Sequence, residues 1–149
     1  MTTLEAIIIL FAVVDPIGNM PIFLEVTEHL GPAASRKAFN AAVGVGMAVL
    51  LVFAFAGRQI LSNIFQIGVE DVSIAGGLLL VIIAIDNLFG GQLSRIESLA
   101  EPAGPYEIGS VPLGVPLLAG PGAMVTCLTI IERSGPFNVI TAILVVFAL

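Results

Sequence analysis

From Ala38 to Leu61 the chain reads AFNAAVGVGMAVLLVFAFAGRQIL, 24 residues with a single charge, Arg58. A helix of roughly 20 apolar residues crosses the hydrocarbon of a bilayer, so this run already favours a membrane over water. Four further apolar runs repeat the message, at about Leu4–Val26, Val72–Phe89, Ser110–Ile131 and Pro136–Leu149. Hydrophobic residues make up 58% of the 149 and charged residues 11%, where a soluble domain has about 45–50% and 25%. Helices and closed barrels alone satisfy every backbone group in lipid. The expected fold is therefore all-α, a polytopic transmembrane helix bundle in the cell (plasma or inner) membrane, with the lipid bilayer as its first partner.

The fifth run has about 14 residues, or roughly 21 Å of helix at 1.5 Å per residue. That falls short of a hydrocarbon core about 30 Å thick, so residues beyond Leu149 or a partner are expected to complete it. Arg36 and Lys37 form the basic pair of the chain and place their loop in the cytoplasm by the positive-inside rule. The N-terminus is then outside, and the Arg95 loop is cytoplasmic. MTTLEAIII has no positive n-region and no cleavage site follows it, so no secretory signal is expected. A net charge of −6, with no basic stripe, excludes nucleic acid as a partner. Cys127, the single cysteine, permits neither an internal disulfide nor a thiolate metal site. No metal and no cofactor are expected.

Two of the runs are interrupted in the same way. FAVVDPIGNMPIFLEV (Phe11–Val26) and VPLGVPLLAGPGAMVT (Val111–Thr126) both carry Pro-Gly breaks where hydrocarbon would penalise them. VDPIGNM corresponds to AGPGAM, EHLGP (Glu28–Pro32) to ERSGP (Glu132–Pro136), and FN (Phe39-Asn40) to FN (Phe137-Asn138), with an offset near 104 residues at the first two landmarks. A duplicated unit with an odd number of spans must lie upside down relative to its copy, giving an inverted repeat of the kind found in secondary transporters. The expected organisation is a first three-helix repeat with its connecting loop in residues 1–109 and a partial second repeat in 110–149. Roughly 45–50 further residues would complete the latter.

Proline removes an N–H and clashes with the carbonyl four residues back. Pro16, Pro21, Pro116 and Pro121 thus release backbone carbonyls inside the spans, and these need protein or a water-lined cavity. Proline also favours the first turn of a helix. Asp15-Pro16 and Gly120-Pro121 both read as an N-cap followed by a first turn. Two half-helices would then start near mid-membrane from opposite sides, with positive dipole ends and free N–H groups converging. Such a place suits a small zwitterion. Its carboxylate would rest on N–H groups near Gly18 and Gly122, and its ammonium on Asp15, Asn19 or the released carbonyls. The candidate substrate-binding residues are Asp15, Pro16, Gly18, Asn19, Gly120, Pro121, Gly122 and Thr126. Asp15 and Asp86 are the candidate sites for a coupling H⁺, and released carbonyls for Na⁺. The blander reading gives Asp15 a capping role, Thr126 and Thr129 bonds to their own helix, and Gly44, Gly46, Gly76 and Gly77 close helix packing.

DPIGNMPIF, SIAGGLLLVIIAIDNL and VPLGVPLLAGPGAMVT, in that order, resemble the MarC family of membrane proteins, also called the neutral amino acid transporter (NAAT) family. The resemblance covers nearly the whole chain. It implies six spans in about 200 residues, with small neutral amino acids as substrates of some members, so this chain lacks a sixth helix. The leading function is a secondary transporter of small neutral amino acids by alternating access. The alternative is a non-transporting membrane scaffold or a channel-like protein. The chain is not expected to be an enzyme: Asp15 and Asp86 would have to share a proton at about 3 Å, and their depths differ. An incomplete sixth-helix interface gives the chain a reason to form a homo-oligomer.

Overall fold

The computed structural model describes residues 1–88 and 104–149; the Arg95 loop falls outside the described residues. Among these the chain is all helical. α1 spans Thr3–Val14, α2 Met20–Thr27, α3 Pro32–Gln59 and α4 Val69–Leu88. α5 is the single turn Pro105–Ile108, α6 covers Pro121–Ser134 and α7 Pro136–Ala148. Two segments wind in the wider i→i+5 register: π1, Ile60–Phe65, which continues α3, and π2, Gly109–Leu118, which continues α5. Pro112 and Pro116 lie inside π2, and neither can donate to an α-helical ladder. An ordinary helix was the expectation there, and the wider winding is the correction.

Helix starts follow a simple local rule. α3, α5, α6 and α7 all begin with glycine at the N-cap and proline at the first helical position, where the missing N–H has no intrahelical role. α1 instead starts with a capping box, Thr2 accepting from the Glu5 N–H and Glu5 accepting from the Thr2 N–H. α3 starts at Pro32, inside what reads in the sequence as a loop. At 28 residues it is about 42 Å long, more than enough for hydrocarbon about 30 Å thick. Among the described residues its Pro32–Gly57 stretch is the helix long and apolar enough to cross a membrane, while α1 and α7 are shorter apolar helices. Five apolar runs were expected, the fifth of them too short to cross by itself. The first and fourth runs fall short because each is split by a break.

Close contacts set the directions of the helices. A methyl added at Gly109 would collide with the Ala38 carbonyl, and one at Gly114 would stand 3.2 Å from the Ala42 carbonyl. One at Gly46 would stand 3.2 Å from Leu118 Cβ, and one at Gly57 3.2 Å from Leu128 Cδ2. The numbers rise together, so α3 runs parallel to the π2–α6 segment. α1 and α7 are parallel as well. Thr3 bonds Asn138 at their starts, and Val14 meets Val146 and Phe147 around one cavity near their ends. Between them lies the main core, where Ala6, Leu10, Leu50, Cys127, Val139 and Ile143 are all completely buried.

The glycine pairs divide. Gly46 and Gly76 pack tightly, a methyl added at Gly76 falling 2.5 Å from Val125 Cγ2, whereas Gly44 and Gly77 face open space. Packing was expected of all four, but helix positions one apart point about 100° apart and positions two apart about 160°, so neither pair can share one contact. Leu4, Ile8, Val52, Phe55, Leu78 and Ile82 are exposed by 57–66%. So much exposed aliphatic surface would aggregate in water, and lipid is its natural solvent.

Candidate functional site

The first break is built by two prolines with different tasks. A residue before proline is steered away from the helical region, so Pro16 ends α1 at Val14. Asp15 closes that helix in the left-handed region, φ 44° and ψ 62°, its N–H donating to the Phe11 carbonyl at 2.9 Å. Its carboxylate Oδ1 accepts the Gly18 N–H at 3.0 Å. The Asn19 side-chain amide donates to the Val14 carbonyl at 2.8 Å, satisfying a group that the break would leave bare in hydrocarbon. Pro21 then falls in the first turn of α2. Asp15 is therefore the C-cap of α1 and not, as its sequence setting suggests, the N-cap of the helix that follows. Asn19 holds that position, with helical backbone and no side-chain cap bond. Because the Gly18 N–H is committed to Asp15, it is not a free donor here. A side chain at Gly18 would run into the Asp15 carboxylate.

The second break matches the sequence reading. Ala119 leaves the helical region, Gly120 is an extended N-cap (φ −73°, ψ 170°), and Pro121 opens α6. Gly122, at the second helical position, is buried; it and Ala123 carry first-turn N–H groups that a helix itself cannot satisfy. Thr126 lies one turn on, half-buried. Thr129 bonds the Val125 carbonyl of its own helix at 3.0 Å; no such bond is shown for Thr126. Asp86 lies on α4, and its side chain falls outside what the structure describes.

The two breaks share one level. Leu117 and Leu118, which precede the second break, line a cavity of about 320 Å³ together with Val14, Pro16 and Asn19 of the first. From that level α2 and α6 depart in opposite directions. Phe23 of α2 packs edge-on against Phe39 near the start of α3, ring centroids 5.5 Å apart, while Leu128 of α6 reaches Gly57 near its end. Of the sequence candidates, Pro16 and Asn19 line the cavity; Asp15, Gly18, Gly120, Pro121, Gly122 and Thr126 are not in its lining. Phe39, Val43, Leu113 and Phe147 are. No motif marks those four, because each is an ordinary apolar residue in an apolar run. Among the described residues Asn19 is the one polar side chain in the wall, and no charged side chain lines it. Among the described residues no group of three or more His, Cys, Asp or Glu is placed to hold a metal.

A family model described as "MarC family integral membrane protein" matches residues 2–149. The chain belongs to the MarC family. Among its relatives, the inner membrane protein YhgN of Escherichia coli K12 (UPF0056) is 37% identical over 83% of this chain and 60% of its own length. The membrane protein PYRAB13050 of Pyrococcus abyssi (UPF0056) is 34% identical over 92% of this chain and 67% of its own. MJ1677 of Methanocaldococcus jannaschii is 34% identical over 91% and 68%. The chain thus spans about 60% of the length of the Escherichia coli relative. No solved structure matches it. Membership of an integral membrane family accounts for the exposed apolar surface of α1, α3 and α4.

Proposed function

We propose that this MarC protein is a secondary transporter that carries small neutral amino acids by alternating access. One observation carries the reading. Two helix interruptions lie at one level, the helices after them diverge in opposite directions, and a cavity with no charged side chain among its described lining opens beside the first, against Leu117 and Leu118. A cavity without charged walls suits a solute of no net charge, since an unpaired ion there would lose several kcal/mol of hydration. The solute carboxylate would reach past the cavity wall to the free first-turn N–H of Gly122 in α6, where Gly120 and Pro121, which has no N–H, open the helix, with the Thr126 hydroxyl one turn further. Its ammonium would meet the second carboxylate oxygen of Asp15, beside Pro16, Gly18 and Asn19, and a small aliphatic side chain would occupy the apolar wall. A coupling H⁺ would sit on Asp15 or Asp86, or a coupling Na⁺ on released carbonyls.

The multi-pass arrangement is an inverted repeat in this reading, with residues 1–109 and 110–149 as its parts and the N-terminus outside. Support comes from the parallel pairs: α1 with α7, and α3 with π2–α6, are the pairs that a three-span unit and its upside-down copy would align. The matching Gly-Pro starts of α3 and α7 point the same way.

The scaffold or channel-like reading also has an observation in its favour, since the Asp15–Gly18 and Asn19–Val14 bonds satisfy the first break without any solute. Uptake of labelled glycine, alanine, serine and threonine into proteoliposomes separates the two. Saturable uptake that follows an imposed H⁺ or Na⁺ gradient is the expected result, and Val43→Trp, which fills the cavity, should bring it to background. Flux without saturation or gradient dependence means a channel, and no flux at all means a scaffold.

A further inference from the structure

The cavity lies on the α2 side of the break level. Its wall runs from the break level toward the start of α3, through Phe23, Phe39, Ala42 and Leu113. Among the described residues nothing in it comes from Thr3–Phe11, from α6, or from Val139–Ile143. That opposite half is closed, with Ala6, Leu10, Cys127, Val139, Ala142 and Ile143 completely buried. At its far end the Thr3 hydroxyl donates to the Asn138 side-chain oxygen at 2.7 Å. The Asn138 amide in turn donates to the Ser134 carbonyl at 3.0 Å. This side-chain bond joins residues 135 positions apart, one in each half of the chain.

We propose that the Thr3–Asn138 pair is the gate that holds this half shut. The inference rests on the transport reading and deepens it by naming the contact that must break when the halves rock. Ala6, Leu10, Val139, Ala142 and Ile143 form the dry seal behind the gate. Each is an aliphatic side chain that can part from its neighbour without leaving a buried polar group unpaired. Asn138 is different, because a released side-chain oxygen needs another donor. Ser134 Oγ, on the same turn, is buried with no partner in the closed arrangement and can take that role. The gate is thus a hydrogen bond with an exchange partner already in place.

The test uses the full chain in membranes with Cys127→Ser, so that introduced cysteines are the sole thiols. Cross-linking Thr3→Cys/Asn138→Cys with a short, reducible bis-methanethiosulfonate should abolish amino-acid flux, and a reductant should restore it. Undiminished flux through the cross-linked protein overturns the gate. A second readout needs no transport. Ala142→Cys, in the seal, should react with a membrane-impermeant thiol reagent about fivefold faster with Asn138→Ala than with Asn138 intact, the shift that losing one hydrogen bond gives a closed–open equilibrium. Equal rates overturn the gate even where flux is present. Faster labelling without flux keeps the gate and removes the transport reading.

Discussion

Asp15 and Gly18 define the first break through one hydrogen bond and one conformation. Asp15 occupies the left-handed region, which Asn and Asp tolerate better than most residues because a short polar side chain bonds locally. Asp15→Asn retains both an acceptor for the Gly18 N–H and that tolerance. Asp15→Ala loses both, at a cost of about 1–2 kcal/mol. Melting in detergent should therefore leave Asp15→Asn near the parent and lower Asp15→Ala clearly. Equal melting of all three would mean that the carboxylate does not fix the break. Gly18→Ala should destabilise by roughly 0.5–1.5 kcal/mol, the worth of one hydrogen bond, since its methyl would displace the exposed Asp15 carboxylate that holds the Gly18 N–H. The same comparison separates structure from transport. If Asp15→Asn melts like the parent but loses uptake, the charge acts on the solute; if it keeps both, Asp15 serves the backbone alone.

At the scale of elements, the apolar runs and the two breaks were legible because hydropathy and proline placement are local properties. The first run divides into α1 and α2 where DPIGNMP stands, and α6 starts at Gly120-Pro121. What was not legible depends on neighbours. Asp15-Pro16 looks like an N-cap from its own residues, but Pro16 acts on the residue before it, and Pro21 supplies the new start. Likewise Gly109, which has no special motif, makes the closest approach to α3, while Gly77 within the conspicuous GG pair makes none. This yields a paired prediction. Gly76→Leu and Gly46→Leu should each lower stability by about 1–3 kcal/mol, while Gly77→Leu and Gly44→Leu should be tolerated, as judged by the detergent-solubilised fraction that survives heating. Reversed sensitivity within either pair would mean that the helix is rotated relative to the packing described. The cavity residues Phe39, Val43 and Phe147 could not be singled out by sequence for a related reason. A wall is defined by what faces it, and two separate helices, α3 and α7, had to be brought together before these side chains met.

For the whole molecule, the contacts sort the chain ends into two groups. The starts of α3 and α5 lie at one end, because Ala38 meets Gly109. The starts of α1 and α7 and the end of α6 lie at the other, because Thr3 bonds Asn138 and Asn138 bonds Ser134. Neither fact refers to a bilayer, but together they fix what a bilayer must do. If the bundle spans it, the two groups face opposite compartments, and Arg36 and Lys37 put the first group in the cytoplasm. Single cysteines at exposed positions therefore make a sharp test in a Cys127→Ser background: Ala33→Cys and Tyr106→Cys for the first group, Thr2→Cys and Glu132→Cys for the second. An impermeant thiol reagent added to intact cells should modify Thr2→Cys and Glu132→Cys, and modify the other two only after permeabilisation. The mirror-image result would invert the molecule while keeping its architecture, and would show that two basic residues were too few to orient it. All four reacting from one side would mean that the parallel pairs do not cross the membrane. In that case the two breaks would not lie at a common depth within hydrocarbon, and the solute site between them would lose its physical basis.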